Sequence, residues 1–262
     1  GVPRITAATT NGAIVATDHN DLAPSCGSNG KDKAFSIVLP KLKSFTADTN
    51  GSAFSDPTLS LWNAACAGMN LVCNDDSGDG LEALITQPNV LAGTYVLLFD
   101  SRSTTTTGTF KINVSGTIAM GDSCEATLGG AFTCEVGSIC KGASGAKKCE
   151  VAACNDTMDN DADNKTDYPN EPGCASPSDD DETDTCPNGA GCPKCGNGID
   201  DDGDTNIDYP LDTTCASAAS DNELCRATEP VAVVTAKNFV GNTATATNDV
   251  QLMCVTATGG ND

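Results

Sequence analysis

Two stretches of this chain carry aspartates at alternate positions, and cysteines enclose each stretch. The first runs from Cys154 to Glu182 and the second from Cys195 to Glu223, and they align with each other without a gap. Counted from the first aspartate of the series, both copies hold carboxylates at positions 1, 3, 5 and 9. Alternate side chains of an irregular loop can turn toward one centre, and a backbone carbonyl near position 7 can complete the ring of oxygens. The spacing therefore predicts one calcium site in each copy.

The candidate ligands are the acidic residues shared by the copies, together with the residues at position 7. In the first copy they are Asp159, Asp161, Asp163, Lys165, Asp167, Asp180 and Glu182. In the second copy they are Asp200, Asp202, Asp204, Asn206, Asp208, Asp221 and Glu223. Position 12, where an EF-hand has glutamate, holds Asn170 and Leu211, so neither copy is a standard EF-hand loop. The last two residues of each list follow the closing cysteine, and we expect them to supply the missing carboxylate.

The alternative is a solvated acidic linker, which is what runs of charge usually are. It fits this sequence poorly, because 12 of the 29 aligned positions are identical between the copies. The shared positions include Tyr168-Pro169 and Tyr209-Pro210, and the two cysteines have the same spacing in each copy. A solvating tail has no reason to repeat its register in this way.

The charge of the chain is concentrated in the same region. The net charge is −22, and residues 154–225 hold 19 of the 36 acidic residues but only Lys165 and Lys194 of the 14 basic ones. Without neutralisation such a density of charge would expand the chain, and bound divalent cations would remove the repulsion. Nucleic acid is excluded as a partner because phosphate binding needs clusters of lysine and arginine.

Fifteen cysteines indicate an oxidising compartment, and a zinc site would need histidines or paired CxxC units. The only histidine is His19, and Cys192 and Cys195 form a CxxC without a second half. No apolar run reaches the roughly 18 residues of a membrane span. We therefore expect a secreted or cell-surface bacterial protein, with Gly1 as a mature end after signal-peptide removal.

The repeats predict one disulfide each, Cys154–Cys174 and Cys195–Cys215. Closing a loop of that length contributes roughly 3 kcal/mol in the chain-entropy model. A local bridge, Cys66–Cys73, is expected in the N-terminal region. Cys186 and Cys225 follow their repeats at matching places and are candidates for links with Cys192 or with each other. Because fifteen is odd, at least one cysteine is free or bonded outside the chain, and we expect this of Cys26 and Cys254.

Residues 1–118 predict an all-β fold, a β-sandwich of short alternating strands separated by turn residues. The predicted strands are Ala34–Leu39, Ser44–Ala47, Thr58–Trp62, Leu81–Thr86, Thr94–Phe99 and Thr109–Val114. Three of them place apolar residues on one face: Phe35, Ile37 and Leu39; Tyr95, Leu97 and Phe99; Phe110, Ile112 and Val114. In the turn after Cys73, Asp75, Asp76 and Asp79 could hold a third calcium ion or serve as hydrogen-bonded turn residues.

This region resembles the bacterial pre-peptidase C-terminal domain over most of its length. The matching segments, in family order, are DKAFSIVLP (32–40), DPTLSLW (56–62), CNDDSGDG (73–80) and AGTYVLLFD (92–100). The resemblance implies a β-sandwich that accompanies secreted hydrolases or surface proteins without being catalytic itself.

The following residues are divided into a small disulfide-rich module (119–153) and two calcium-binding repeats (154–194 and 195–225). The repeats resemble thrombospondin type 3 repeats and the Asp-rich repeats of secreted bacterial surface proteins. The module is too short for a core of its own, so disulfides must hold it. Its four cysteines allow three pairings. Its resemblance to Cys-rich spacers of secreted proteins implies Cys124–Cys140 with Cys134–Cys149.

The C-terminal segment, residues 226–262, is predicted to be a β-strand tail. Its residues 243–262 resemble residues 14–32, and chance similarity of Thr/Ala-rich strands is the alternative.

With no motif that pairs a nucleophile with a base, we expect no enzyme. The sequence favours a calcium-binding structural or adhesive extracellular protein that self-associates head-to-tail into a homopolymer by strand addition. The alternative is the accessory region of a secreted hydrolase. No carbohydrate or surface ligand is evident.

Overall fold

A computed structural model of the chain describes residues 2–26, 30–54, 56–66, 68–78, 80–189 and 191–223. The chain divides into two compact units, Gly1–Glu150 and Val151–Asp262. The described residues form β-strands, two short 3-10 turns and irregular loops, which confirms the predicted all-β fold class. No helix within these ranges is long and apolar enough to cross a bilayer. The predicted tail 226–262, with the proposed role of Cys254 and of strand addition, lies outside the described residues, as does Cys225.

The first unit is a β-sandwich with a small appended ribbon. Its strands are β1 (Thr9–Ile14), β2 (Asp32–Leu39), β3 (Leu42–Asp48), β4 (Pro57–Asn63), β5 (Val72–Asn74), β6 (Leu84–Val90), β7 (Gly93–Ser101), β8 (Gly108–Ile118), β9 (Phe132–Cys134), β10 (Ser138–Lys141) and β11 (Lys148–Val151). One sheet has the order β2-β7-β4-β5 and the other the order β1-β8-β3-β6, with all neighbours antiparallel. The strands β10 and β11 pair with each other.

The core between the two sheets is made by the alternating apolar residues of β2, β7 and β8, as predicted. Their aromatic rings meet at its centre. Phe99 stacks on Phe110 with ring centroids 3.8 Å apart, and the edges of Phe54 and Phe35 pack on this pair at 5.1 and 6.0 Å. Phe99 is fully buried. Four of the seven phenylalanines of the chain therefore form one cluster that joins both sheets.

The strand β4 is buried on both of its faces, which a simple alternating pattern does not predict. Trp62 packs with Val96 and Leu98 of β7 on the outer side of the sheet, and Leu22 and Cys66 cover them. The Trp62 indole Nε1 donates a 2.7 Å hydrogen bond to Ser60 Oγ. The loop before β2 therefore acts as a third layer over this sheet.

Two strands differ from their sequence predictions. β6 begins at Leu84 and continues to Val90, so the predicted strand Leu81–Thr86 is displaced toward the C-terminus. It includes Pro88, which an edge strand tolerates because it needs no second partner. β1 was not predicted because its sequence, TTNGAI, is mostly polar. A Cβ at Gly12 of β1 would lie 2.3 Å from the Phe110 ring, so glycine is required where this strand crosses the core.

Residues 119–150 pack onto the sandwich and belong to the same compact unit. The strand β9 pairs in parallel with the end of β8, and Phe132 of β9 is buried in the sandwich core. Lys41 and Lys43 of the β3 segment form ion pairs of 2.9 and 2.5 Å with Asp122 and Glu135. The disulfides Cys124–Cys140 and Cys134–Cys149 are present as expected.

The cysteines of the sandwich pair differently from the prediction. Cys73 is bonded to Cys26, not to Cys66, and Cys66 is a free thiol. The pairing follows from the layer over β4, because Ser25 N donates to Asn70 Oδ1 at 2.8 Å and brings the Cys26 loop beside β5. Cys66 instead packs in the outer apolar cluster with Trp62, where burial raises the pKa of its thiol. The expectation that Cys26 bonds outside the chain is therefore wrong.

We expect peptide mapping of the non-reduced protein to show this pairing directly. Proteolysis after blocking of free thiols in denaturant should release one peptide pair joined by Cys26 and Cys73, with Cys66 carrying the blocking group. Cys66→Ser should leave the linked pair unchanged. A linked Cys66–Cys73 peptide would contradict the structure.

Removing the central ring should destabilise the sandwich strongly. We expect Phe99→Ala to lower its free energy of unfolding by about 3–5 kcal/mol, because a fully buried aromatic side chain leaves a cavity. Phe99→Leu, which keeps most of the apolar volume, should lose clearly less. Urea unfolding followed by the fluorescence of Trp62 measures both. A loss for Phe99→Ala as small as that of a surface substitution would argue against this packing.

Candidate metal centre

The two acidic loops are built on the same set of backbone constraints. Each starts with a short 3-10 turn, Ala153–Asn155 or Lys194–Gly196, and is closed by the predicted disulfide, Cys154–Cys174 or Cys195–Cys215. Inside the first loop, Tyr168 N donates to the carbonyl of Cys154 at 3.1 Å. The second loop makes the equivalent bond between its own tyrosine and first cysteine, at 3.0 Å. The predicted disulfides of both loops are thus confirmed.

The carboxylates at position 9 and after the closing cysteine hold the loop backbone. Both Asp167 oxygens accept backbone N–H groups, from Asp156 at 3.0 Å and Thr157 at 2.9 Å. Both oxygens of the buried Glu182 do the same, from Asn160 at 2.8 Å and from Asp167 at 2.9 Å. The second copy repeats these bonds with Asp208 and Glu223 as acceptors. These predicted ligands therefore act as anchors for the loop in the described structure.

The carboxylates at positions 1, 3 and 5 of the first loop converge. Asp159, Asp161 and Asp163 each offer an oxygen within 4.8 Å of the others. Asp159 also accepts N–H bonds from Ala162 and Asn164, at 2.6 and 3.0 Å, which bends the loop around its first carboxylate. In the second loop Asp200 accepts the matching bonds from Gly203 and Thr205, at 2.6 and 3.0 Å.

The position-7 residues and the outer acidic residues lie in different surroundings. Lys165 N donates to Asp163 Oδ1 at 2.7 Å, and Asn206 N donates to Asp204 Oδ1 at 2.8 Å, so both follow the curve of the loop. Asp180 is exposed and accepts the N–H of Ala153 at 3.2 Å. Asp221 is exposed as well. The structure brings positions 1, 3 and 5 of the first loop together, whereas Asp180 takes part in the turn that starts that loop.

A buried carboxylate that the sequence analysis did not consider completes the first cluster. Glu171, at position 13, is fully buried, and its Oε2 receives no hydrogen bond from the described residues. Its Oε1 accepts Gly173 N at 3.2 Å. Burial, then the adjoining Asp184 carboxyl and the charge of Asp163, raise the pKa of Glu171 to about 8. Below about pH 8 Glu171 is therefore protonated and can donate to the adjoining Asp184 carboxyl, and once ionised it faces other carboxylates with an oxygen that no N–H group of the described residues reaches.

The second loop has an equivalent buried carboxylate, Asp212, which aligns with Glu171 of the first loop. Asp212 is 1% exposed, and its Oδ2 receives no hydrogen bond from the described residues, while Thr214 N donates to its Oδ1 at 2.7 Å. The charge of Asp212 contributes to raising the pKa values of Asp202 and Glu223, although burial is the larger cause for both. All three carboxylates are buried, and Asp212 is close enough to each of the other two to influence its pKa.

The chemistry of this donor set suits a hard cation. Residues 195–223 contain eight acidic residues and no lysine or arginine. The first loop has one base, Lys165, which forms no ion pair among the described residues. Buried carboxylates need a compensating partner, since an unpaired charge in a dry environment is strongly disfavoured. A cation with several oxygen ligands is a partner that fits each loop, with Glu171 or Asp212 contributing its free oxygen.

The turn after β5 contains a third acidic cluster with a different electrostatic balance. Asp56, Asp75 and Asp76 offer oxygens within 4.8 Å of one another. Arg102 Nη1 donates to Asp75 Oδ2 at 2.6 Å, and this positive charge opposes the rise in the pKa of Asp75 caused by burial. Asp79 lies outside the described residues. The Arg102 guanidinium thus already neutralises part of the cluster. A third calcium ion at this turn stays a prediction.

Of the residues that sequence reasoning missed, only those at position 13 could have been found by aligning the two copies. Position 13 is acidic in both copies, but it is glutamate in one and aspartate in the other, so a count of identities passes over it. The EF-hand template also directs attention to position 12, one residue too early. Asp184 has no acidic counterpart in the second copy, so only the folded structure brings it to the site.

Comparison with known proteins gives only distant likenesses. No protein-family model and no curated protein matches the chain. Among solved structures, the pre-peptidase C-terminal domain of a collagenase from Bacillus anthracis is 16% identical, with a TM-score of 0.32, over 44% of this chain and 95% of that one. A surface-associated copper-binding protein of Methylomicrobium album is 13% identical, with a TM-score of 0.30, over 44% and 98%.

A third match is the C-terminal carbohydrate-binding module, of family 6, of a laminarinase from Zobellia galactanivorans. It is 21% identical, with a TM-score of 0.23, over 40% of this chain and 99% of the module. Likenesses at this level carry no information about the ligand or activity of the present chain. Its function has to be argued from its own residues.

The buried carboxylates predict how the calcium-free protein responds to pH. The folded state raises the pKa of Glu171 from 4.5 to about 8, so it holds this proton more tightly than the unfolded chain does. The stability that this group contributes is therefore fully present below about pH 4.5 and is lost as the pH rises through about 8. In chelator, we expect the second unit to unfold at a lower urea concentration at about pH 8.5 than at about pH 5.5, measured by pulse proteolysis. Glu171→Gln should reduce this dependence, and a stability that increases with pH over this interval would contradict it.

Proposed function

We propose that this chain is a non-catalytic module of a secreted protein whose second unit binds two calcium ions, one in each disulfide-closed loop. The observation that carries the proposal is the pair of buried carboxylates, Glu171 and Asp212, at equivalent places in the two loops. No N–H group of the described residues reaches Glu171 Oε2 or Asp212 Oδ2, and each of the two side chains adjoins further carboxylates. A bound cation would offset this repulsion and fix the loop, in which apolar side chains contribute little burial.

The secreted location is supported by the six disulfides among the described residues, since such bonds persist in oxidising compartments. One of them, Cys186–Cys192, is among the alternatives that the sequence left open. The sequence favoured a structural or adhesive protein, with the accessory region of a secreted protein as the alternative, and it is the alternative that we propose. The first unit folds around its own core, and the two acidic loops belong to the second unit.

Calcium titration of the full chain after removal of divalent ions tests the proposal. We expect isothermal titration calorimetry to show two bound ions per chain. Glu171→Gln and Asp212→Asn should each remove or weaken one site and leave the other, because each variant replaces the buried carboxylate of a single loop. Asp181→Asn is a matched control with the same change of charge at an exposed carboxylate outside the predicted ligands, and it should retain both sites.

Limited proteolysis provides an independent measurement of the same proposal. In chelator, the second unit should become sensitive to protease within residues 154–223, while the sandwich of the first unit persists. Added calcium should restore resistance in the wild-type chain. Absence of calcium binding together with identical cleavage in both conditions would overturn the proposed function.

A further inference from the structure

We infer that the two calcium sites are unequal and that the first loop binds its cation more tightly, because Asp184 adds a carboxylate that the second loop lacks. This inference rests on the proposed function and concerns the affinity and filling order of the two sites. Its basis is the geometry of the chain segment that follows Glu182.

Asp184 is directed toward the first cluster by the bonds on either side of it. Its backbone N–H donates to Asp161 Oδ2 at 3.3 Å, which places the residue beside the position-3 carboxylate. Its Oδ1 accepts the N–H of Cys186 at 2.7 Å, and Cys186 is held by its disulfide to Cys192. One oxygen of the side chain is therefore engaged, and the direction of the other is fixed.

The other oxygen of Asp184 lies in the same buried region as the Glu171 carboxyl. Asp184 Oδ2 is buried and receives no hydrogen bond within the described part of the chain, as is also true of Glu171 Oε2. The two carboxyl groups are close enough for Asp184 to contribute to the raised pKa of Glu171. Below about pH 8 the protonated Glu171 can share its proton with Asp184, and a cation that replaces this proton would bind both carboxylates beside Asp161.

Among the described residues, which end at position 223, the second loop has no residue of this kind. In the alignment of the two copies, the position of Asp184 is taken by Cys225, and no acidic residue follows Glu223 until Glu229. The first loop therefore contributes Asp159, Asp161, Asp163, Glu171 and Asp184, and the second contributes Asp200, Asp202, Asp204 and Asp212. The affinity of a calcium loop rises with the number of charged ligands and with their rigidity. The number of charged ligands favours the first loop.

Calorimetry of the full chain should resolve two binding steps whose dissociation constants differ by at least about tenfold, given the Coulomb energy of one added charge near the ion. Asp212→Asn should leave the tight step, and Glu171→Gln should leave the weak one. Asp184→Asn keeps the acceptor for Cys186 N and removes the charge, so it should weaken the tight step by about tenfold or more and spare the weak step. Asp181→Asn is the matched control, since Asp181 is exposed and accepts only local bonds from Thr183.

Terbium luminescence assigns the order of filling without relying on variants of the ligands. Tyr168 and Tyr209 follow the position-9 aspartates of the first and second loops and can sensitise an ion bound in their own loop. With less than one equivalent of terbium, Tyr168→Phe should lose most of the sensitised emission and Tyr209→Phe little. Equal dissociation constants, earlier filling of the second loop, or an unchanged tight step in Asp184→Asn would each overturn the inference while leaving two calcium sites. Failure of the wild-type chain to bind any calcium would instead overturn the proposed function.

Discussion

The second unit depends on hydrogen bonds from backbone N–H groups to carboxylates, because its described part has almost no apolar interior. Its buried apolar residues are chiefly the cysteines of the two loop disulfides, with Ala152 and Ala218. Carboxylates such as Asp167 and Glu182 take the place that apolar side chains hold in an ordinary core, since each binds two N–H groups of the loop backbone. This arrangement concentrates negative charge at the positions where carboxylates hold the loop backbone. The same groups that define the loop therefore create the need for a cation.

The two units stabilise their folds by different means. In the first unit the sheets meet around Phe99 and Phe110, so burial of apolar surface is the main contribution, and disulfides secure the loops around it. In the second unit each disulfide encloses the carboxylates directly. The two loops also contact each other within this unit, because Ala218 N donates to the carbonyl of Pro169 at 2.8 Å. A Cβ at Gly196 of the second loop would lie 3.0 Å from Pro172 Cγ of the first loop and 2.8 Å from the Ala218 carbonyl oxygen, so this close approach favours a residue without a side chain.

The sequence predicted those features that follow from repetition or from strict alternation. β2, β7 and β8 have regular apolar alternation, and the loop disulfides follow from two cysteines at the same spacing in each copy. β1 and β6 were missed or displaced because an edge strand can be polar or contain proline. The Cys66–Cys73 prediction was wrong because it relied on nearness in sequence, whereas Cys26 reaches Cys73 through a layer that forms only in the folded chain.

The prediction of the site was limited in the same way. Spacing alone indicated positions 1, 3 and 5, which converge in the first loop. It could not show that Asp167 and Glu182 have both oxygens engaged by the backbone, nor that Glu171 is buried beside them. These are properties of the folded loop, in which the same type of side chain serves either as an anchor or as a free acceptor.

The loop disulfides also determine how this chain would transmit a pulling force. Tension applied along the backbone passes from Cys154 to Cys174 through the sulfur atoms, and likewise from Cys195 to Cys215. Each bridge spans a sequence separation of 20, so it removes about 70 Å of extended chain from the length that can be drawn out. Most of the carboxylate cluster of each loop therefore lies outside the path that carries the tension. A polypeptide stretched between two attachment points would keep these loops folded while its other segments extend.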